Sequence, residues 1–440
     1  MLSPIAEELN QVIQRGNADL FETLSDLGKA LYFPKGILTQ TAEAKEKAHR
    51  YNATIGIAKS QDMPLYLESV YSSFQGLSPG QVFPYAPAFG VPELRETWKR
   101  KIEEDNPSLG GKAISLPVVT SGITHGLSLA GDLFVNEGDT VLAPDKVWGN
   151  YLLLYGVRYG AEISRYPLLG SHGGLDTEGF KETLDNRAAK GKLFLLLNFP
   201  NNPTGYAPTR KEAESLVEAI LDVAEQGCSV VAVSDDSYFG LFYEDGVYRE
   251  SLFGLLAGLH PRIAAVKLDG ATKEDFVWGF RTGFISYGVA AEGNIDPVYE
   301  SLEKKTGGAI RGGISNCSMP AQSILLKAME RPEFQDERKK TIGILKERAL
   351  RVRDVLSRSK YQEVWEPYPF NSGYFMCIRL KGLNAEAYRK KLLEDHGVGV
   401  ISASDTDIRI AFSCVEASDI PELFDIMYDC AKGMRKDSQR

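Results

Sequence analysis

Short apolar runs and longer amphipathic stretches alternate along the middle of this chain, and that rhythm sets the fold class before any single residue does. Runs at 116–120, 140–143, 161–165, 193–198, 229–234, 263–267 and 284–287 read as buried strands. Between them, 122–135, 149–158, 176–189 and 210–226 carry helical spacing. Such alternation builds a mostly parallel sheet covered by helices on both faces. Nearer the start, Leu9, Ile13, Leu20, Leu24 and Leu27 recur near helical spacing and predict a helical segment over 4–31, punctuated by Gly28 and Pro34. A long charged helix over 332–359 leads into a part that contains Tyr374–Ile378 and Asp407–Ala411 as strands. The expectation is an α/β protein. A large domain over 61–325 is joined by a smaller α+β domain over 326–440, to which the N-terminal segment 1–60 contributes.

Composition narrows the class. With 440 residues, 43% hydrophobic and 25% charged, the chain can bury a sizeable core. A net charge of -9 argues against a nucleic-acid partner, and the run Lys99-Arg100-Lys101 is followed at once by Glu103, Glu104 and Asp105. No apolar run reaches the roughly 18 residues of a membrane helix. The first residues carry two Glu where a signal peptide would be apolar. Five scattered Cys without a C-x-x-C pair, and five His without metal-binding spacing, predict reduced thiols and no metal. A cytoplasmic protein is expected.

Four segments carry candidate chemistry. Leu195–Gly205 runs from an apolar strand into a turn dense in Asn, Pro and Gly, at the carboxyl end where open sheets bind ligands. A lone N-P-T-G suits a structural turn equally well. Val230–Tyr238 ends its strand in acids, and an Asp there can pair with a cationic ring nitrogen while Tyr238 donates to a phenolate-like oxygen. Acids at a strand end also serve as helix caps. Gly270-Ala271-Thr272-Lys273 is followed eight residues later by Arg281: a lysine of lowered pKa is a nucleophile, and an arginine can fork onto a phosphate. Val118–Gly126 opens a helix through small residues, where free amides and the helix dipole suit a phosphate, although it is no P-loop.

In this order the segments resemble the class I/II aminotransferases of pyridoxal 5'-phosphate (PLP) fold type I. The N-P-T-G at 202–205, D-x-x-Y at 235–238 and K-x7-R-x-G at 273–283 agree with the family pattern. Tyr85–Gly90, Pro144–Asn150 and Asp407–Ile410 look like three further family segments. The resemblance spans roughly 50–430. It implies that Lys273 holds PLP as a Schiff base and then shuttles the substrate proton. Asp235 would pair with the pyridine nitrogen, and Tyr238 and Asn202 would bond the phenolic oxygen. Trp148 would stack on the ring. Ser121, Gly122, Ile123 and Arg281 would hold the phosphate, with Tyr85 donated across a homodimer. Arg409 would grip the substrate α-carboxylate beside Asn202. One departure stands out. Gly270 and Thr272 occupy the places of the family's Ser-x-Ser, so one phosphate hydroxyl is absent or comes from Thr272. Lys267 is a rival lysine, but no arginine sits eight residues beyond it.

Arg311–Asn316 resembles the stretch whose Arg binds the distal carboxylate of aspartate or glutamate across the dimer, and equally suits a surface Arg between glycines. The resemblance therefore implies transfer from an L-amino acid, aspartate or an aromatic one, to a 2-oxo acid such as 2-oxoglutarate. A PLP-dependent C–S β-lyase is the alternative, and a PLP-binding regulator without turnover is a third reading, for which the N-terminus is too short and acidic.

Overall fold

A computed structural model describes residues 2–33, 36–61 and 63–437. Its centre is a seven-stranded sheet. In chain order the strands are β1 (Val118–Thr120), β2 (Thr140–Pro144), β3 (Glu162–Tyr166), β4 (Lys192–Asn198), β5 (Ser229–Asp235), β6 (Ile263–Asp269) and β7 (Gly283–Val289), arranged β1-β7-β6-β5-β4-β2-β3. All neighbours are parallel except β7, which runs antiparallel to both β1 and β6. The expected strands are all present, and the reversal of β7 is the feature that the alternation did not reveal. The segment from Gly270 to Thr282 holds only the short turns Ala271–Glu274 and Trp278–Phe280 instead of a crossover helix, and β7 returns beside β6 antiparallel to it.

The central strands β4 and β5 are apolar through their middles because both faces are covered. Leu193, Leu195 and Leu197 enter one core, while Phe194 and Leu196 enter the other on the opposite face. Each such side chain contributes roughly 1.5–3 kcal/mol on burial. Crossover helices α1 (Ile123–Phe134), α2 (Thr177–Ala188) and α3 (Arg210–Glu225) lie within a residue or so of the helical spacing. Thr209 and Glu212 form a reciprocal capping box at the start of α3.

Two helical expectations change. The N-terminal segment is three short helices, Pro4–Gly16, Ala18–Thr23 and Asp26–Ala30. Asn17 and Ser25 cap the second and third with their side chains, and these caps interrupt an apolar pattern that reads as continuous. Pro34 lies outside the described residues. The stretch 149–158 winds as a π-helix over Leu152–Arg158, a form concentrated at functional sites.

Beyond the large sheet, α4 (Phe334–Leu356) leads to a four-stranded antiparallel sheet of β8 (Trp365–Pro367), β9 (Met376–Leu380), β10 (Ile401–Ser402) and β11 (Asp407–Ile410). Tyr51–Asn52 pairs in parallel with Val398–Gly399, so the early chain is stitched to this smaller part. No described helix is long and apolar enough to cross a membrane.

Candidate active site

The carboxyl ends of the parallel strands meet in one cavity of about 390 Å³, lined by Lys273, Asp235, Tyr238, Asn202, Arg281 and Arg409 among others. Trp148, Ile123 and Thr272 reach it as well. Asn198 and Asp235 are register partners at the ends of β4 and β5, which brings the Asn-Pro turn and the acidic strand end to one level. Asn198 donates to the Asp235 carbonyl at 3.1 Å and accepts the Asn202 amide at 2.9 Å. Asn202 Oδ1 in turn accepts from Arg409 Nη1 at 3.2 Å.

Lys273 sits on a single helical turn, Ala271–Glu274, directly after β6. Its Nζ lies 4.8 Å from the Tyr238 ring centre. Burial lowers its pKa to about 8, Arg281 pushes the same way, and Asp235 opposes. The amine is therefore available uncharged far more readily than a surface lysine. Lys267 has the opposite surroundings. It is buried between Asp236 and Asp269 and its pKa is raised by them, so its charge is fixed and it takes no part in the cavity.

Asp235 is 1% exposed. Ser237 donates to its Oδ1 through both N and Oγ, and the Tyr151 hydroxyl donates to Oδ2. These donors fix the orientation of the carboxylate at the end of β5. Tyr151 leads into the π-helical stretch, three residues after Trp148, and its ring meets Trp148 edge-on at 5.5 Å. Neither Tyr151 nor Asn198 is among the site residues expected from the sequence. Asn198 carried the same signal as Asp235, a polar residue closing an apolar strand; Tyr151 was hidden by an assumed regular helix.

Neither guanidinium group of the cavity has a carboxylate partner among the described residues. Arg409, on β11, is 2% exposed, donates to the Thr54 carbonyl at 2.8 Å and stacks 4.1 Å over Phe375. Its Nε has no partner among the described residues. A buried cation held only by neutral groups is a site made for an anion. Among the described residues Arg281 donates only to the Trp278 carbonyl, at 3.4 Å. A Cβ on Gly122 would stand 2.5 Å from Arg281 Nη2, so the glycine keeps space for that guanidinium. In the neighbouring loop the Ser121 amide is taken by His125 Nδ1 and the Gly122 amide by the Thr120 carbonyl. Among the described residues the amides left free at the start of α1 are those of Ile123 and Thr124, at the positive end of the helix dipole, where an anion is favoured. Thr124 was not among the expected residues.

The Gly270 departure has a packing cause. A Cβ there would meet Gly283 Cα and the Thr282 carbonyl at 2.7 Å, because β6 and β7 approach closely at this point. Gly270→Ser should therefore overpack the hairpin rather than add a phosphate ligand, lowering stability by about 1–3 kcal/mol in urea unfolding. Unchanged stability with tighter phosphate binding would refute this. Thr272 Oγ1 makes only a long 3.5 Å contact to Thr282 O and stays available to the cavity.

Tyr85 and Arg311 lie elsewhere. Tyr85 is 89% exposed, and Arg311 is an exposed residue of the helix Asp296–Gly313 whose Nη1 donates to Ser315 Oγ at 2.6 Å. Neither touches the cavity of its own chain.

A buried lysine of lowered pKa, an acid at a strand end and two arginines thus share one cavity at the carboxyl edge of this sheet. The family described as aminotransferase class I and II matches residues 60–426. The chain is 27% identical over 309 residues to a probable aspartate/prephenate aminotransferase of Aquifex aeolicus, covering 69% of this chain and 71% of that one. It is 26% identical to an aspartate/prephenate aminotransferase of Cereibacter sphaeroides, over 84% of this chain and 88% of that protein. Other matches are partial, spanning 60% of an aspartate aminotransferase of Geobacillus stearothermophilus and 48% of a tyrosine aminotransferase of Dictyostelium discoideum. The fold is shared with an aminotransferase of Anaerococcus prevotii, at TM-score 0.81 and 22% identity over 93% of this chain and 99% of that one. The chain belongs to the class I and II aminotransferases, PLP-dependent enzymes of fold type I. The relatives favour transfer over the lyase and regulator readings.

Proposed function

We propose that this aminotransferase moves the amino group of an L-amino acid with an apolar or aromatic side chain to a 2-oxo acid such as 2-oxoglutarate, with PLP held at Lys273. The observation that carries the reading is the meeting of a lysine whose pKa is lowered to about 8 with Asp235, Arg281 and Arg409 in one cavity. When bound, PLP supplies the electron sink that lets a substrate Cα–H ionise. Lys273 Nζ is the group that binds it covalently and, once free, moves the Cα proton. Asp235, oriented by Tyr151 and Ser237, would pair with the ring nitrogen. Tyr238 and Asn202 would bond the ring oxygen, and Trp148 would pack beside the ring. The Ile123 and Thr124 amides, the Ser121 and Thr272 hydroxyls and Arg281 hold the phosphate. Arg409 orients the α-carboxylate in a fork beside Asn202.

The rest of the cavity supports an apolar side chain: Ile55, Ile57, Trp278 and Phe375 line it, and its three cations already have tasks. Exposed Tyr85 supports a homodimer that lends this residue to the neighbouring site. Five unpaired cysteines suit a cytoplasmic home. A dicarboxylic substrate is the second reading, because Arg311 could reach a neighbouring site in the same dimer. The test is the visible spectrum of purified protein mixed with L-phenylalanine, L-aspartate or L-glutamate and no 2-oxo acid. Fastest bleaching by L-phenylalanine is expected. Fastest bleaching by L-aspartate, abolished in Arg311→Ala, would establish the second reading instead, and release of ammonia would sink transfer altogether.

A further inference from the structure

Two acids directly follow Lys273, and both are buried. The side chains of Glu274 and Asp275 are 2% and 0% exposed. Isolated carboxylates are costly there, so their partners are informative. Glu274 Oε1 receives Lys101 Nζ at 2.5 Å, from the helix Pro92–Asp105, and also Arg338 Nη2, from α4. Arg338 Nε donates to the Glu274 backbone carbonyl at 3.4 Å and lies 3.3 Å from Asp275 Oδ1. Neither oxygen of Asp275 has a hydrogen bond among the described residues. One residue earlier, the Lys273 carbonyl accepts the Tyr374 hydroxyl at 2.8 Å.

The turn Ala271–Glu274 has four residues, and its closing backbone bond is Asp275 N to Ala271 O. So short a helix does not hold itself, and its orientation is set from outside. The space for the outside group is prepared. Gly240 has φ +82°, and a Cβ there would stand 2.8 Å from Arg338 Nη2. Buried ion pairs seldom add net stability over well-packed apolar groups, so this cluster is better explained by the geometry it imposes than by the stability it adds.

We propose that Arg338 is a positioning residue for amino transfer, clamping the turn that carries Lys273 through the Glu274 side chain, the Glu274 carbonyl and Asp275. The inference rests on the reading of Lys273 as the PLP lysine. Arg338 does not line the cavity; it acts by holding Nζ where the proton must be taken, and misplacement on the ångström scale is enough to slow such a step.

The test compares Arg338→Met, Arg338→Lys and a control, Arg389→Met, which removes another buried arginine, paired with Glu386 and Glu43 away from the cavity. The measurement is single-turnover bleaching of the bound cofactor by whichever of L-phenylalanine and L-aspartate reacts with wild type, per loaded site and well below each variant's Tm. Arg338→Met should slow the saturated rate roughly 10- to 100-fold with the half-saturating amino acid concentration moved by less than about twofold, and Arg338→Lys should recover part of the loss. Arg389→Met should keep the wild-type rate. Equal rates per loaded site in both Arg338 variants and wild type, or an equal loss in the control, overturn the proposal while leaving the PLP reading intact. If wild type shows no cofactor band, both fall. Should Arg338→Met not fold, Arg338→Lys and the charge-balanced Arg338→Met/Glu274→Gln pair make the same comparison.

Discussion

Lys273→Ala protein should bind PLP reversibly, without the visible band of the lysine-linked cofactor, and should fail to turn over. Loss of the proton-transferring amine alone is worth on the order of 10²–10⁴ in rate, and loss of the covalent anchor adds to that. The phosphate cradle does not involve this side chain, so the variant should still take up the cofactor, as read by fluorescence quenching. Wild-type protein stripped of PLP should capture it faster as pH rises, with a midpoint near pH 8 and a plateau from about pH 9, because burial lowers the Lys273 pKa to about 8 and only the neutral amine attacks. An ordinary lysine, with a pKa near 10.4, would keep accelerating to about pH 10. A visible band retained by Lys273→Ala, or a capture rate still climbing well past pH 9, would assign the chemistry to another amine.

Arg409→Met should separate activity from stability. Removing one partner of a buried, hydrogen-bonded charge pair costs 2–5 kcal/mol of binding, so kcat/KM should fall by roughly 30- to 4,000-fold, mostly through KM. In the free protein, however, Arg409 has no carboxylate and an orphaned Nε. Replacing an uncompensated buried cation by an apolar side chain of similar length should leave Tm unchanged or raise it. Arg409→Lys should not rescue activity, because one ammonium cannot reproduce contacts to both Asn202 and the Thr54 carbonyl and still fork onto a substrate. Steady-state kinetics and a thermal melt on the same samples decide it. A drop in Tm with an unchanged KM would make Arg409 a structural residue.

Much of this site was legible because each piece ends a strand or opens a helix, where the residue type is dictated by position. Asp235, Asn202 and Lys273 each follow an apolar run, and the parallel sheet gathers those ends. What stayed hidden depends on local backbone bonding. The Ser121 and Gly122 amides look free in a sequence, yet His125 and the Thr120 carbonyl use them and shift the cradle to Ile123 and Thr124. The role of Tyr151 needed the π-helical stretch after it, whose register no apolar spacing records. Asn17 and Ser25 broke a helix whose leucines kept their period, since a side-chain oxygen at a cap outweighs one turn of spacing. Tyr85 and Arg311 were picked out by resemblance alone; their proposed task belongs to a second copy of the chain.

The reversed strand β7 also explains which spacings in this chain are free to drift. Asn202 and Asp235 are separated by a crossover through α3, where a longer or shorter loop on the surface leaves both strand ends where they are. Lys273 and Arg281 have no such slack. They lie within one connection between adjacent antiparallel strands, closed by the tight approach of Gly270 to Gly283. The stretch between them works as a ruler, setting the distance from the nucleophile to the anion cradle by the number of residues it contains, so that an insertion there changes the site where an insertion in a crossover loop would only change the surface.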